Sequence, residues 1–370
     1  MPNLRDLLAR LTRAALLAVC CAVPVAAADE HHHDSDSDWL LFPAVQLRGR
    51  SDTTEPAPES NYERYLLDVL FSHSQGRFRA LMETEITSEE FDIERLQIGW
   101  EFSENVLGWA GRFHQPSSTW NTAHHHGPFL QTAITRPNIE HWEDDGGLIP
   151  QHIAGALIES RGTLGSNGGL AVSFGAGAAP VIRLGQLEPI QISRSNVGGH
   201  RASFSGRIAY EPEYLGEDSV GVVVARHDVN VLDPAVAASF GSDDVKLNVV
   251  GIYFKLVRSD WRVQAPYYYV DTHFDSAPAP RHEHFGAGYL QVEHPVAARL
   301  TPYGRIEASS NAAHSVYVAF QSREFEVRRS AAGLRWDFNR RQALTLEAAH
   351  ATTLLTRYNE ARLQWCGVFP

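Results

Sequence analysis

Hydrophobic and polar residues alternate along most of this chain. In residues 62–73, the side chains of Tyr65, Leu67 and Phe71 fall on one parity, with polar residues between them. A short SQG turn leads to residues 77–87, where apolar residues again alternate with arginines and glutamates. A period of two is typical of β-strands with one apolar and one polar face. The pattern therefore predicts a hairpin of two such strands.

The same alternation recurs often enough to predict sixteen strands. Connections after even-numbered strands are mostly short (SQG, SEN, RSD, NRR), whereas several after odd-numbered strands are long. This asymmetry is typical of a transmembrane barrel with tight turns at one end and loops at the other. The predicted strands are residues 39–50, 62–73, 77–87, 91–102, 107–114, 151–160, 169–177, 201–210, 219–228, 245–257, 261–272, 284–294, 299–308, a segment ending at 338, 342–352 and 358–369.

The apolar faces of these strands must contact either lipid or another apolar surface of the protein. A sheet can meet lipid only when it closes on itself, because unpaired backbone groups in hydrocarbon cost several kcal/mol each. We therefore predict an all-β fold, a transmembrane antiparallel up-and-down β-barrel of about 16 strands over residues 39–370, whose interior holds water. The alternative is a soluble sandwich. Tryptophans near strand ends favour the barrel, since they fit interfacial girdles: Trp39, Trp100, Trp261, Trp336 and Trp365.

The first 28 residues have the pattern of a cleaved signal peptide. Arg5, Arg10 and Arg13 precede an apolar run at residues 14–25, which ends in three alanines. This order of basic, apolar and small residues is typical of export signals. A weak lipobox ending at Cys20 leaves a lipoprotein as an alternative. Residues 29–38 (DEHHHDSDSD) are predicted to be a polar leader ahead of the barrel.

Cysteine content and charge narrow the classes of partner. Removal of the signal peptide leaves Cys366 alone, so no internal disulfide is predicted. The formal charge of the whole chain is −12, and the signal peptide carries three arginines against Asp6, so the remaining chain is near −14. A negative balance of this size argues against nucleic acid as a partner.

A long segment, residues 116–150, separates the fifth and sixth predicted strands without strand or helix periodicity. In its alternation, strand count, export signal and long loop after strand five, the chain resembles the bacterial outer-membrane porins. The resemblance is one of pattern and covers nearly the whole chain after the signal peptide. The final strand, with Phe369 near its end, resembles the terminal strand that outer-membrane assembly recognises, although Pro370 follows it.

The resemblance implies that the long loop folds into the barrel and narrows it, with acidic side chains facing a basic cluster. Opposed charges across a constriction create a transverse field that orients dipolar solutes. The alternative is that the arginines pair with glutamates on neighbouring strands, such as Glu83, Glu85 and Glu101. On this chain the acidic side would be Glu140, Glu143, Asp144 and Asp145, and the basic side Arg48, Arg77, Arg79, Arg95 and Arg112.

Histidines in and beside the long segment suggest a divalent metal site. Imidazole together with carboxylate suits Zn, Cu or Ni. Three consecutive histidines cannot easily converge on one ion, so a solvated, pH-sensitive loop is the alternative. His114 and His152 lie near the two ends of the segment. The candidate ligands are His124, His125, His126 and His141. No other cofactor is predicted.

These observations predict a porin in the bacterial outer membrane that lets small polar or ionic solutes diffuse passively. We expect a homotrimer in contact with lipid and no enzymatic activity. One alternative is a metal-selective channel that uses the His-rich loop. Another is an outer-membrane hydrolase, since Ser117, Ser118 and Asn121 lie near the histidines, but no G-x-S-x-G motif is present. Ion preference stays open, because the acidic total favours cations and the arginine-rich wall favours anions.

Overall fold

One closed antiparallel β-barrel accounts for nearly all regular structure. A computed structural model describes residues 35–52, 61–88, 91–117, 120, 122, 127–141, 143, 146–192, 198–275 and 281–370. The first wall strand pairs with the second on one side and with the last on the other, with Ala44 opposite Cys366 at the closure. The predicted all-β barrel is confirmed. No helix in the described ranges is long and apolar enough to cross a membrane.

Among the described residues, nineteen strands form the sheet. They make up sixteen staves, each stave being one crossing of the barrel wall by the chain. The strands are Ser35–Asp52 (β1), Asn61–Gln75 (β2), Phe78–Thr87 (β3), Phe91–Ser103 (β4), Val106–His114 (β5), His152–Leu164 (β6), Gly168–Ala178 (β7), Val181–Arg183 (β8), Gln186–Glu188 (β9), Ala202–Glu211 (β10), Ser219–Val231 (β11), Asp244–Arg258 (β12), Trp261–Gln264 (β13), Tyr267–Phe274 (β14), Arg281–Glu293 (β15), Leu300–Ser310 (β16), Glu326–Asn339 (β17), Gln342–Thr353 (β18) and Arg357–Gly367 (β19).

Two details reconcile the strand count with sixteen staves. β13 and β14 are one stave interrupted at Pro266, and both pair with β12 and β15. Proline has no backbone N–H to give to a ladder, which accounts for the break. β8 and β9 form a short hairpin within the predicted loop 178–200, and β8 adds only a parallel pairing to the end of β11. The order of the staves follows the chain.

The outward face of the barrel is apolar. Leu96, Ile98 and Trp100 of β4 are each about half exposed, whereas Gln97 between them is buried. On β11, alternate valines from Val220 onward are similarly exposed. Four of the five predicted girdle tryptophans, Trp39, Trp100, Trp261 and Trp336, have half of their surface exposed at the short-turn end of the wall. Trp365 is partly buried. This arrangement excludes the sandwich, in which the same faces would pack together.

The inward face is less uniform than the alternation predicts. On β11–β16 many inward residues are themselves apolar, including Val229, Leu247, Val270 and Phe285, and they form one large buried cluster. Segments that connect the staves cover this cluster from inside. The prediction that the interior holds water is therefore wrong for this side, because most inward residues of β11–β14 are apolar.

Short helices in the connections supply part of this inner packing. Residues Pro234–Phe240 form α1, whose first turn is capped by Asp233 accepting from the Ala235 amide at 2.9 Å. α1 ends at Gly241, whose positive φ of 66° suits glycine. Residues Val316–Gln321 form α2, which contributes buried Tyr317 to the same cluster. α1 lies in a segment that the sequence pattern predicts to be a loop, and α2 precedes the predicted strand that ends at residue 338.

The first and fifth staves differ slightly from their predicted bounds. β1 begins at Ser35, so the last residues of the predicted leader pair with residues 72–75 of β2. The segment between β5 and β6 runs from residue 115 to 151. The predicted signal peptide and the first part of the leader lie outside the described residues.

Candidate functional site in the barrel interior

A charged cavity of about 400 Å³, termed the passage, lies beside the long segment between β5 and β6. One wall of the passage is the inner face of β1–β4, β17 and β19, and the other is formed by Gly146 and by residues in the range 127–141 of the segment. Its charged lining is balanced, with five arginines and five carboxylates. These residues are Arg48, Arg64, Arg136, Arg329, Arg362, Asp68, Glu85, Glu94, Glu324 and Glu326.

Hydrogen bonds tie the segment to the opposite wall. The buried Glu347 carboxylate on β18 accepts from the backbone N–H of Ile134 at 3.2 Å and of Thr135 at 3.3 Å, and from the Thr135 hydroxyl at 2.5 Å. Arg305 on β16 donates to the Thr135 carbonyl at 2.7 Å and to its hydroxyl at 2.6 Å. Bonds to charged groups are the stronger class of hydrogen bond. Residues 134 and 135 are therefore fixed against β16 and β18.

Further contacts extend this attachment along the segment. The backbone N–H of Asn138 donates to Glu307 of β16 at 2.7 Å, and the Thr132 hydroxyl donates to Glu293 of β15 at 2.6 Å. Arg335 of β17 donates to the carbonyls of residues 129 and 131. Each of these wall residues lies on an inward-facing position. One side of the segment is thus anchored, and its other side borders the passage.

A row of arginines lies on β17, β19 and β1. The carboxylate of Glu360 joins the row: its oxygens lie 3.2 Å from Arg48 Nε and 3.1 Å from Arg362 Nε, and it also contacts Arg329. Tyr62 of β2 accepts from Arg362 at 3.1 Å, and the guanidinium of Arg48 lies 5.1 Å from its ring centre. Packing on an aromatic face holds a guanidinium in place without neutralising its charge.

Carboxylates dominate the neighbouring wall on β2–β4. Asp68 is buried and interacts electrostatically with Glu83, Glu85 and Glu94, and with Arg136 of the segment. Arg64 of β2 pairs with Glu85 at 2.9 Å. The passage therefore has a basic row on β17, β19 and β1 and an acidic group on the adjoining staves.

The barrel is similar in fold to known protein structures, although its sequence matches none of the known families. No protein-family model and no curated protein sequence matches the chain. Among solved structures, an anion-selective porin from Comamonas acidovorans is similar with a TM-score of 0.61 at 11% identity, over 90% of this chain and 100% of that one. The chain has the fold of a porin.

Two other porin-fold structures agree with this assignment. Salmonella typhi OmpF, solved with daunomycin, has a TM-score of 0.59 at 12% identity, over 90% of this chain and 97% of its own. The outer-membrane channel DcaP of Acinetobacter baumannii has a TM-score of 0.55 at 12% identity, with the same coverage. Identities this low relate the folds alone, and the subfamily is not defined.

The five arginines assigned to the basic side occupy different places in the porin barrel. Arg48 lines the passage. Arg95 pairs with Glu83 at 2.7 Å, and buried Arg112 pairs with Asp92 at 3.1 Å. The remaining two lie at the short-turn end, where Arg79 pairs with Glu101 at 2.6 Å and Arg77 is exposed in the β2–β3 turn. The neighbouring-strand pairing considered as the alternative thus describes Arg79 and Arg95.

Two of the residues assigned to the acidic side, Glu140 and Glu143, lie within the described part of the chain. Glu140 is buried and accepts from the Tyr268 hydroxyl at 3.1 Å, and Glu143 is fully buried against the start of β6. Asp144 and Asp145 lie outside the described residues, as do His124, His125 and His126. His141 lines the passage, with Nε2 at 3.3 Å from the Arg136 carbonyl oxygen.

Several lining residues were missed by the sequence reasoning. Arg64 and Arg362 occupy inward positions of β2 and β19, and strand parity alone would have included them. Arg136 lies in the segment itself, where no period indicates which way a side chain points. Ser117, considered for hydrolase chemistry, is buried and donates to the Gln151 side chain at 3.1 Å.

A buried group of histidines and glutamates lies where the segment joins the wall. His152 Nε2 is 2.6 Å from Glu94 Oε2, and His152 Nδ1 is 3.2 Å from Glu143 Oε1. Burial alone would raise the pKa of the Glu143 carboxyl, but the charge of His152 and the hydrogen bonds from His152 lower it below its usual value. Glu143 therefore stays ionised. Among the described residues, Glu94, His114 and His152 are grouped closely enough to hold a metal ion.

Proposed function

We propose that this protein is an outer-membrane channel through which small polar or ionic solutes diffuse passively. The observation that carries the proposal is the charged cavity between the wall and residues 127–141 of the segment. An apolar outer face of the barrel suits lipid, and a polar inner passage suits water and hydrated solutes. In this account the anchored segment narrows the barrel and sets the size of solute that passes.

The lining supports weak ion selectivity with a preference for dipolar solutes. Five arginines against five carboxylates leave the described lining near neutral. The arginine row lies on β17, β19 and β1, whereas Asp68 and Glu85 lie on β2 and β3. A solute with separated positive and negative ends can orient between these groups, and a simple ion of either sign gains less. The expected homotrimer, cleaved signal peptide and absence of enzymatic activity stay predictions.

Planar-bilayer recording tests the channel directly. The purified protein, folded in detergent and added to a bilayer, should give discrete conductance steps. In a salt gradient the reversal potential should lie close to zero, because the lining is near neutral. Absence of steps from protein that has folded, judged by its heat-modifiable migration in gels, would contradict the proposal.

A further inference from the structure

Three potential metal ligands meet at adjacent staves beside the root of the long segment. Glu94 of β4, His114 of β5 and His152 of β6 are all buried, and one donor atom from each lies within 4.8 Å of the others. His114 and His152 are directly paired across the two strands. Directly paired residues have Cβ atoms about 4.5–5.5 Å apart, so the strand pairing itself places the two imidazoles next to each other.

A bulge brings the third ligand to this pair. In the ladder between β3 and β4, Glu83 pairs with Arg95 and Thr84 with Ile93, so Glu94 has no partner on β3. A bulge re-aims a side chain that regular alternation would place elsewhere, and bulges are frequent beside functional sites. The bulge explains how the Glu94 carboxylate comes within 2.6 Å of His152.

We propose that Glu94, His114 and His152 form a binding site for a divalent transition-metal ion, with Zn²⁺ as the preferred ion. Two imidazoles and one carboxylate are a common zinc donor set, and they leave a fourth position for water. The same donors are too few and too rich in nitrogen for Ca²⁺ or Mg²⁺, which prefer six or more oxygen ligands.

Glu143 supplies the outer contact that such a site needs. A metal-binding histidine usually gives its second ring nitrogen to a carboxylate, which fixes the ring. His152 does this, with Nδ1 at 3.2 Å from Glu143 Oε1 and Nε2 directed at Glu94. Glu143 is itself held by the backbone N–H groups of Gln151 at 2.6 Å and His152 at 2.8 Å. The ring of His152 is therefore oriented in advance.

Only side-chain adjustment is needed to complete the site. Tetrahedral zinc with bonds near 2.0–2.1 Å has its donors about 3.3 Å apart. The gap between His152 Nε2 and Glu94 Oε2 would widen from 2.6 Å, and the wider gaps, up to 4.8 Å, would close. The ion takes the place of the proton on His152 Nε2, which leaves to solvent. Glu94 also lines the passage, which gives the ion a route to the site.

The position of the site suggests a clamp. His114 ends β5 and His152 begins β6, so an ion bound to both joins the two ends of segment 115–151. The binding claim is separate from the proposed channel, because it can be measured in detergent without any transport assay.

Zinc titration of the full-length folded protein by calorimetry tests the site. The wild type should bind one Zn²⁺ at a site that His114→Ala abolishes, and Glu143→Gln should weaken that site by roughly 10–100-fold. Co²⁺ should give the intense ligand-field absorption of a tetrahedral complex, and His114→Ala should remove it. Heat-modifiable migration establishes that each variant has folded.

Matched variants separate this site from the other histidines. His141→Ala and the triple variant H124A/H125A/H126A remove imidazoles from the same segment and should leave the site intact. If wild-type protein binds no zinc, or if the triple variant removes the zinc that His114→Ala retains, the proposal is overturned and the group is a structural ion pair only. Should His152→Ala fail to fold, His114→Ala still decides, because His114 is outside the ion pair between His152 and Glu94.

Discussion

The two sides of the barrel interior have the same outer face and opposite inner faces. On β11–β14 the inward residues are largely apolar, and Phe274 packs in a cluster with Phe285 of β15 and Tyr317 of α2, all with essentially no exposed surface. On β1–β4 and β19 the inward residues are arginines, carboxylates and amides around a passage of about 400 Å³. Segment 127–141 lies between the two regions. It is bound to the wall on one side and borders the passage on the other.

The difference shows that the surroundings of the barrel determine the residues of its outer face. The residues of the inner face depend on the local role of each stave. Lipid demands the same apolar surface everywhere. Inside, a stave can either support the inserted segments or meet water. In the proposed channel, the packed side acts as a rigid support and the charged side sets which solutes pass.

The largest expected effect comes from creating a cavity in the packed side. Phe285→Ala removes a fully buried ring that packs against Phe325 at 6.4 Å between ring centres. Large-to-small substitutions of this kind cost roughly 3–5 kcal/mol in unfolding free energy. Urea unfolding in lipid vesicles measures the loss. Ion selectivity should change little, because the passage residues stay in place.

Phe204→Ala is the matched control. Phe204 lies on the outer face of β10 with half of its surface exposed, so its removal leaves no enclosed cavity. We expect a smaller loss of stability than for Phe285→Ala. Equal losses would show that the inner cluster is not a packed support.

A smaller effect, on selectivity, is expected from the charged side. Arg362→Gln removes one positive charge from the lining. One charge about 8 Å from an ion in water changes its energy by about 0.5 kcal/mol, with opposite sign for cations and anions. The cation-to-anion permeability ratio should therefore rise about fivefold, measured as a shift of the reversal potential in a salt gradient.

Arg340→Gln makes the same change of charge away from the passage. Arg340 is exposed in the turn between β17 and β18 at the short-turn end. The reversal potential should stay near the wild-type value in this variant. If both variants shift it equally, overall charge sets selectivity and the passage does not.

Much of the fold follows from strand parity. Each stave must present apolar residues to lipid at every second position, so the pattern repeats wherever the chain crosses, and all sixteen staves were predicted. The packed inner cluster could not be inferred in this way. Val229 and Leu247 each lie between two polar residues, so local alternation would turn them toward lipid, whereas both are buried in the inner cluster.

The candidate site was predicted only in part, for reasons that differ between residues. Arg48 lies on a regular stave, and its inward position follows from alternation. Glu143 lies in a segment without a period, and its burial against His152 depends on long-range folding. Glu94 is displaced by a bulge, which shifts the parity of the residues around it. Where the backbone is irregular, alternation therefore no longer predicts which way a side chain points.

Cysteine accessibility during current recording tests most directly that solutes pass along the charged side of the interior. The native Cys366 is fully buried and should not react. Gln46 lines the passage, and Thr272 is an inward residue of the packed side with no exposed surface. With a cationic thiosulfonate reagent, Gln46→Cys should be modified with a fall in current, whereas Thr272→Cys should stay unmodified. Rapid modification of Thr272→Cys with loss of current, while Gln46→Cys conducts unchanged, would contradict the account.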